Sequence, residues 1–129
     1  MAEALRPVTV LAVDDQPVFL RAARSLIAAT PGFEQVGQAT SGPEALALAA
    51  SLMPDLVLLD LRMPGMDGAE TARRLHESNP DTIVVLISIG EVPPSAASSS
   101  GVTTHVRKQS LSPRALERIW AVHGRQVSA

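Results

Sequence analysis

Leu56-Val57-Leu58-Leu59-Asp60 decides the fold: four aliphatic residues without a polar break, ended by a carboxylate. A short run with no alternation suits a strand covered on both faces, and such strands belong to parallel sheets flanked by helices. Upstream, Val8-Thr9-Val10-Leu11-Ala12-Val13 has the same character and ends in Asp14 and Asp15. Downstream, Ile83-Val84-Val85-Leu86-Ile87 ends in Ser88, and the weaker run Val102-Thr103-Thr104-His105-Val106 leads to Lys108. In a parallel sheet all strand carboxyl ends open onto one rim, so these polar residues are expected to share a crevice.

The segments between the runs read as helices. Pro17 stands at a first helical position and opens a helix to about Ala29, which Thr30-Pro31-Gly32 ends. Phe33 to Ala39 is a weak strand, polar enough to be an edge. Ser41 and Glu44 have the spacing of a capping box for a helix to about Leu52, with Pro54 as its stop. Asp67 and Glu70 repeat that spacing before a helix to about Glu77, and Asn79-Pro80 closes it. The stretch Gly90 to Gly101, rich in proline and serine, supports at most two helical turns. Ser112-Pro113 opens a last helix with Leu116, Ile119 and Trp120 on one face. Five strands alternating with five helices predict an α/β fold. It is a doubly wound (βα)5 unit, flavodoxin-like, with a five-stranded parallel sheet, helices on both faces and a short or irregular fourth helix.

A chain of 129 residues suits one domain with a continuous core. Aromatic residues are few (Phe19, Phe33 and Trp120), so that core is built from Leu, Val, Ile and Ala. The net charge of −2 and the lack of a basic stripe argue against direct nucleic-acid binding. Absent cysteine excludes disulfides and thiolate metal sites. No apolar stretch is long enough to span a membrane, and Met1 to Pro7 lacks the apolar region of a signal peptide, so a cytoplasmic protein is expected. The segment Trp120 to Ala129 reads as the end of a helix and a frayed tail.

Three carboxylates at one rim suit a hard cation such as Mg²⁺, which takes oxygen ligands and keeps several waters. Their mutual repulsion in a poorly hydrated cleft is itself a reason to expect a cation. A carboxylate is a competent nucleophile toward a phosphoryl group whose oxygens a metal neutralises, and Asp60 is the candidate. Lys108, the only lysine beside ten arginines, can pair with a phosphoryl oxygen, and the Ser88 hydroxyl can donate to another. Taken singly, each residue has a plainer role: Asp15 as a first-turn acid, Asp60 as a turn residue, Lys108 as a solvated charge and Ser88 as a local backbone cap. Their joint occurrence at four strand ends favours the phosphoacceptor.

In order and spacing these residues, with Leu59-Asp60-Leu61-Arg62-Met63-Pro64-Gly65-Met66-Asp67-Gly68, resemble the receiver domain of two-component response regulators. The resemblance covers about residues 8 to 122. It implies Asp60 as the phosphorylated aspartate, Asp14 and Asp15 as Mg²⁺ carboxylates, Arg62 as a carbonyl ligand, Ser88 and Lys108 as the switch hydroxyl and lysine, and His105 at the aromatic switch position. It also implies a histidine kinase as phosphodonor and no enzymatic activity beyond the domain's own phosphoryl transfer and dephosphorylation. Asp14 to Arg21 and Phe33 to Gly37 look most like receivers that precede a helix-turn-helix DNA-binding domain. The output partner is then either such a domain, missing from these 129 residues, or a separate protein, and a homodimer stays open.

The chain departs from the family pattern in places. Ile89 is bulky where a small residue is usual, and it is expected to crowd the site. His105 replaces an aromatic residue. Gln109 replaces the proline after the lysine, so a trans Lys108–Gln109 peptide is expected. Two rival readings use the same acidic site. One is a receiver-fold interaction module that works without phosphorylation. The other is a phosphatase of the haloacid-dehalogenase type, which needs an aspartate two residues after its nucleophile, where this chain has Arg62.

Overall fold

The computed structural model describes residues 6–124, so Met1 to Leu5 and the expected tail beyond Gly124 lie outside it. Five strands, β1 (Val8–Val13), β2 (Phe33–Ala39), β3 (Leu56–Asp60), β4 (Ile83–Ser88) and β5 (Thr104–Arg107), form one parallel sheet in the order β2-β1-β3-β4-β5. Helices α1 (Pro17–Ala28), α2 (Gly42–Leu52), α3 (Gly68–Ser78), α4 (Pro94–Ala97) and α5 (Pro113–His123) alternate with them. This is the doubly wound arrangement read from the sequence, and β2 is an edge strand as its polarity implied.

Strand residues alternate between two cores, which explains the unbroken apolar runs. Leu11, Val13, Val57, Leu59, Val84 and Leu86 pack with Ala45 and Ala49 of α2, Ala72 and Leu75 of α3 and Ala96 of α4. Val10, Leu56, Leu58, Ile83, Val85 and Ile87 face the other way, onto Ile27 of α1 and Leu116 and Ile119 of α5. Small alanines on α2 and α3 let those helices lie close to the branched side chains of the sheet.

Several boundaries have local causes. Ser41 and Asp67 cap their helices by accepting from the Glu44 and Glu70 amides, as expected. The reciprocal half of each capping box is absent: Glu44 accepts from the Thr40 amide instead, and Glu70 pairs with Arg73 and Arg74. Strand β5 begins two residues later than the sequence suggests. The Thr103 amide does donate to the Val84 carbonyl (2.9 Å), but the Val84 amide donates to the Thr103 hydroxyl (3.0 Å) and not to a backbone carbonyl of the next strand. The side chain thereby displaces the backbone from the ladder. A 3-10 turn over Lys108–Ser110, unread in the sequence, follows β5.

At the amino ends of the strands Arg6 makes a bidentate pair with Asp55 (2.8 and 2.9 Å), and Asp55 also accepts from the Thr9 amide. These bonds tie β1 to the entry of β3 and hold the Asp55 carboxyl below its ordinary pKa against the opposing effect of burial. Gly101 has φ +91°, and a Cβ there would lie 2.2 Å from the Ala72 carbonyl oxygen, so the connection from α4 to β5 is pressed directly onto α3.

Candidate functional site

Strand β1 delivers Asp14 and Asp15 to the carboxyl rim, and the adjacent strand β3 delivers Asp60. One carboxylate oxygen from each of the three lies within 4.8 Å of the others. Asp14 is fully buried, Asp60 nearly so and Asp15 half-buried. Asp14 Oδ1 accepts from the Gln16 amide at 2.8 Å, which fixes the turn into α1. Its other oxygen, Oδ2, is buried, and its one partner among the described residues is the Lys108 ammonium.

Lys108 supplies the only countercharge that reaches these oxygens among the described residues. Its Nζ lies 2.6 Å from Asp14 Oδ2 and 3.3 Å from Asp60 Oδ1. The ammonium also sits over the ring of Phe19, 4.5 Å from its centroid. Burial opposes the charge on Lys108, but the hydrogen bond to Asp14 and the attraction of Asp60 outweigh it and raise the pKa. For Asp60 the balance runs the other way: burial and the neighbouring Asp14 push its pKa up to about 6 despite Lys108. Three carboxylates and one ammonium leave excess negative charge in a poorly hydrated place. This suits a small divalent cation with oxygen ligands.

A cleft of about 630 Å³ opens above the acids, lined by Asp15, Phe19, Asp60, Ser88, Ile89 and Lys108 among others. Ser88 is buried, and its hydroxyl donates to the Gly90 carbonyl, the local capping role. Ile89 lines the cleft but is 74% exposed, so most of its surface faces solvent. Arg62, exposed, lines the same cleft. His105 is not brought to the acids; it is exposed on β5 beside Glu91, Val92 and Arg107. No peptide bond among the described residues is cis, so Lys108–Gln109 is trans, as the missing proline implied. The contact of Phe19 with Lys108 was not read from the sequence. Its one signal is position: Phe19 is a helical turn past Asp15 and the only aromatic residue of α1.

An acid cluster at the rim of a doubly wound parallel sheet, with a lysine folded into it, is the arrangement that the resemblance to receiver domains implies. Residues 10–119 match the response regulator receiver domain, and the chain belongs to that family. It is 42% identical over 83 residues to the nitrate/nitrite response regulator protein NarL of Escherichia coli, covering 64% of this chain and 38% of that protein. It is 41% identical over 87 residues to the response regulator GacA of Pseudomonas viridiflava, covering 67% and 41%. The chain thus spans about two fifths of the length of these curated relatives. Among solved structures, the signal receiver domain of a NarL response regulator from Mycobacterium tuberculosis superposes with a TM-score of 0.83 at 29% identity, covering 95% of this chain and all of that one. No helix among the described residues is long and apolar enough to cross a membrane.

Proposed function

We propose that this receiver domain takes a phosphoryl group from the phosphohistidine of a histidine kinase onto Asp60. The observation that carries this reading is the convergence of Asp14, Asp15 and Asp60 within 4.8 Å, with Lys108 touching two of them. Asp14, Asp15, Asp60 and the Arg62 carbonyl would hold Mg²⁺, which when bound neutralises phosphoryl oxygens and the crowded carboxylates. Asp60 Oδ attacks phosphorus; the new P–O bond forms as the P–N bond to the kinase imidazole breaks, and the imidazole leaves with its electron pair and takes up a proton. Lys108 then stabilises a phosphoryl oxygen, and the Ser88 hydroxyl turns from the Gly90 carbonyl to donate to another.

The domain acts in the cytoplasm as a signalling element rather than an enzyme, its core running from about residue 8 to 122. Its output is a DNA-binding domain of the helix-turn-helix kind or a partner protein. The phosphatase alternative has nothing to recommend it, since the position it needs as an acid holds exposed Arg62.

Incubation with Mg²⁺ and a small phosphodonor is expected to give an acid-stable but hydroxylamine-sensitive acyl phosphate on wild type and none on Asp60→Asn. Asp15→Asn should lower Mg²⁺ affinity by about tenfold or more, because the site has few anionic ligands. Label that survives Asp60→Asn overturns the assignment. Two observations favour a second reading, a phosphorylation-independent interaction module: helix α4 is a single turn and the Ser88 hydroxyl is already satisfied locally. That reading expects no label on wild type.

A further inference from the structure

We propose that Phe19 is a positioning residue for Lys108, holding the ammonium over the acidic cleft through the face of its ring. The inference rests on the phosphoacceptor reading above and names a part of that site which the acids and the lysine do not explain by themselves.

A lysine has four rotatable side-chain bonds, and fixing them costs more entropy than for most residues. The trans Lys108–Gln109 peptide and the exposed Gln109 supply no backbone device that aims this side chain. What does aim it is a three-sided pocket: Asp14 at 2.6 Å, Asp60 at 3.3 Å and the Phe19 ring centroid at 4.5 Å. The three sides are unequal in one respect. A bound cation would draw on the carboxylates of Asp14 and Asp60 that now hold the ammonium, whereas neither a cation nor a phosphoryl group would compete for the ring face. The aromatic contact is therefore the one that persists while the carboxylates change partners.

The ring is well placed to serve as a fixed point. Phe19 packs against both clusters on its side of the sheet, those of Ile27 and Leu116 and of Leu20 and Ala23, while its face lines the cleft. Its amide donates to the Gln16 carbonyl, in the same turn that Asp14 fixes. A partly desolvated ammonium over an aromatic face is stabilised beyond simple burial. An aliphatic residue of similar size fills the same space without that attraction, so a purely structural Phe19 and a positioning Phe19 make different predictions for leucine.

Because Lys108 is the only lysine, ¹³C-lysine labelling of the full chain yields one ε-methylene signal, free of overlap. In metal-free wild type that signal should be shifted upfield by the ring; it should return to the ordinary lysine position in Phe19→Leu and stay shifted in Phe19→Tyr. With Mg²⁺ and beryllofluoride as the phosphoryl analogue, Phe19→Leu should bind roughly three- to tenfold more weakly than wild type, and Phe19→Tyr should restore most of the affinity. Circular dichroism melting of the three proteins separates a lost ring contact from a damaged helix, since Phe19→Tyr carries the same packing risk but keeps the ring. An unshifted wild-type signal, or equal analogue affinity for wild type and Phe19→Leu, overturns the role of Phe19 alone. A wild type that binds no analogue overturns the phosphoacceptor reading, and this one with it.

Discussion

The strands that carry the acids and the sheet edge at β5 are built to different standards. On one side, the last four residues of β1 and all of β3 are fully or nearly fully buried, covered by three-turn helices, and they end in the three aspartates. On the other, β5 is four residues long with none of them buried, and the helix before it is a single turn. The acids therefore stand on well-buried strands, while the segment from Ser88 to Arg107 is more thinly covered. A site is held best on well-buried elements, whereas a thinly covered edge is cheap to move.

The contrast can be broken most directly through the core. Leu59→Ala, at a fully buried site directly before Asp60, should destabilise by about 2–5 kcal/mol, whereas Val106→Ala on β5 should cost only about 1 kcal/mol. Urea unfolding of both variants at unchanged slope measures it. Equal losses would mean that the thin edge is as well packed as the strands that carry the acids.

A smaller effect tests the electrostatic side. The Asp60 pKa is raised from 3.8 to about 6, chiefly by burial and Asp14, so its proton is held more tightly in the folded protein than in the unfolded one. Below about pH 4 the group is protonated in both states and costs nothing; as pH rises through about 6 the fold loses stability, and above that the full cost stays. At about 1.4 kcal/mol per unit the ceiling is about 3 kcal/mol, and access of water to the cleft reduces it to about 1–2 kcal/mol. In chelator near neutral pH, Asp60→Asn should therefore be more stable than wild type by that amount, with the gap closing toward about pH 4 and Mg²⁺ reversing its sign. A gap that widens on acidification would contradict the sign.

The least effect is expected at the end of the β5 edge. Gln109→Pro restores an imide bond at which cis costs only about 0.5–1 kcal/mol, which allows the backbone to aim Lys108. Retention of beryllofluoride should rise by a fewfold, and an unchanged off-rate would show that the present trans linkage aims the lysine equally well. Exchange of His105 for phenylalanine touches only the exposed face of β5 and should leave analogue binding unaltered.

What was legible in the sequence follows the same division. β1, β3 and β4 are continuous aliphatic runs because both faces are covered, and such runs have few alternatives, so their bounds were readable to within a residue. The start of β5 was not, because Thr103 uses a hydroxyl where a carbonyl is ordinary, and composition does not reveal which oxygen accepts. The three aspartates were legible as a group because strand ends of a parallel sheet must meet. The pairing of Lys108 with Asp14, and its contact with Phe19, depend on side-chain directions across the cleft, which no spacing encodes.

The missing side chain at Gly101 has a mechanical consequence. Where the Ala72 carbonyl bears on it, the chain between Ser88 and Gly101 is an arch with both feet pinned, one in the sheet and one on α3. A free strand end dissipates a push by fraying, but an arch with fixed feet can only change its curvature. A displacement of the foot at Ser88 would then be taken up at the crown, where α4 sits.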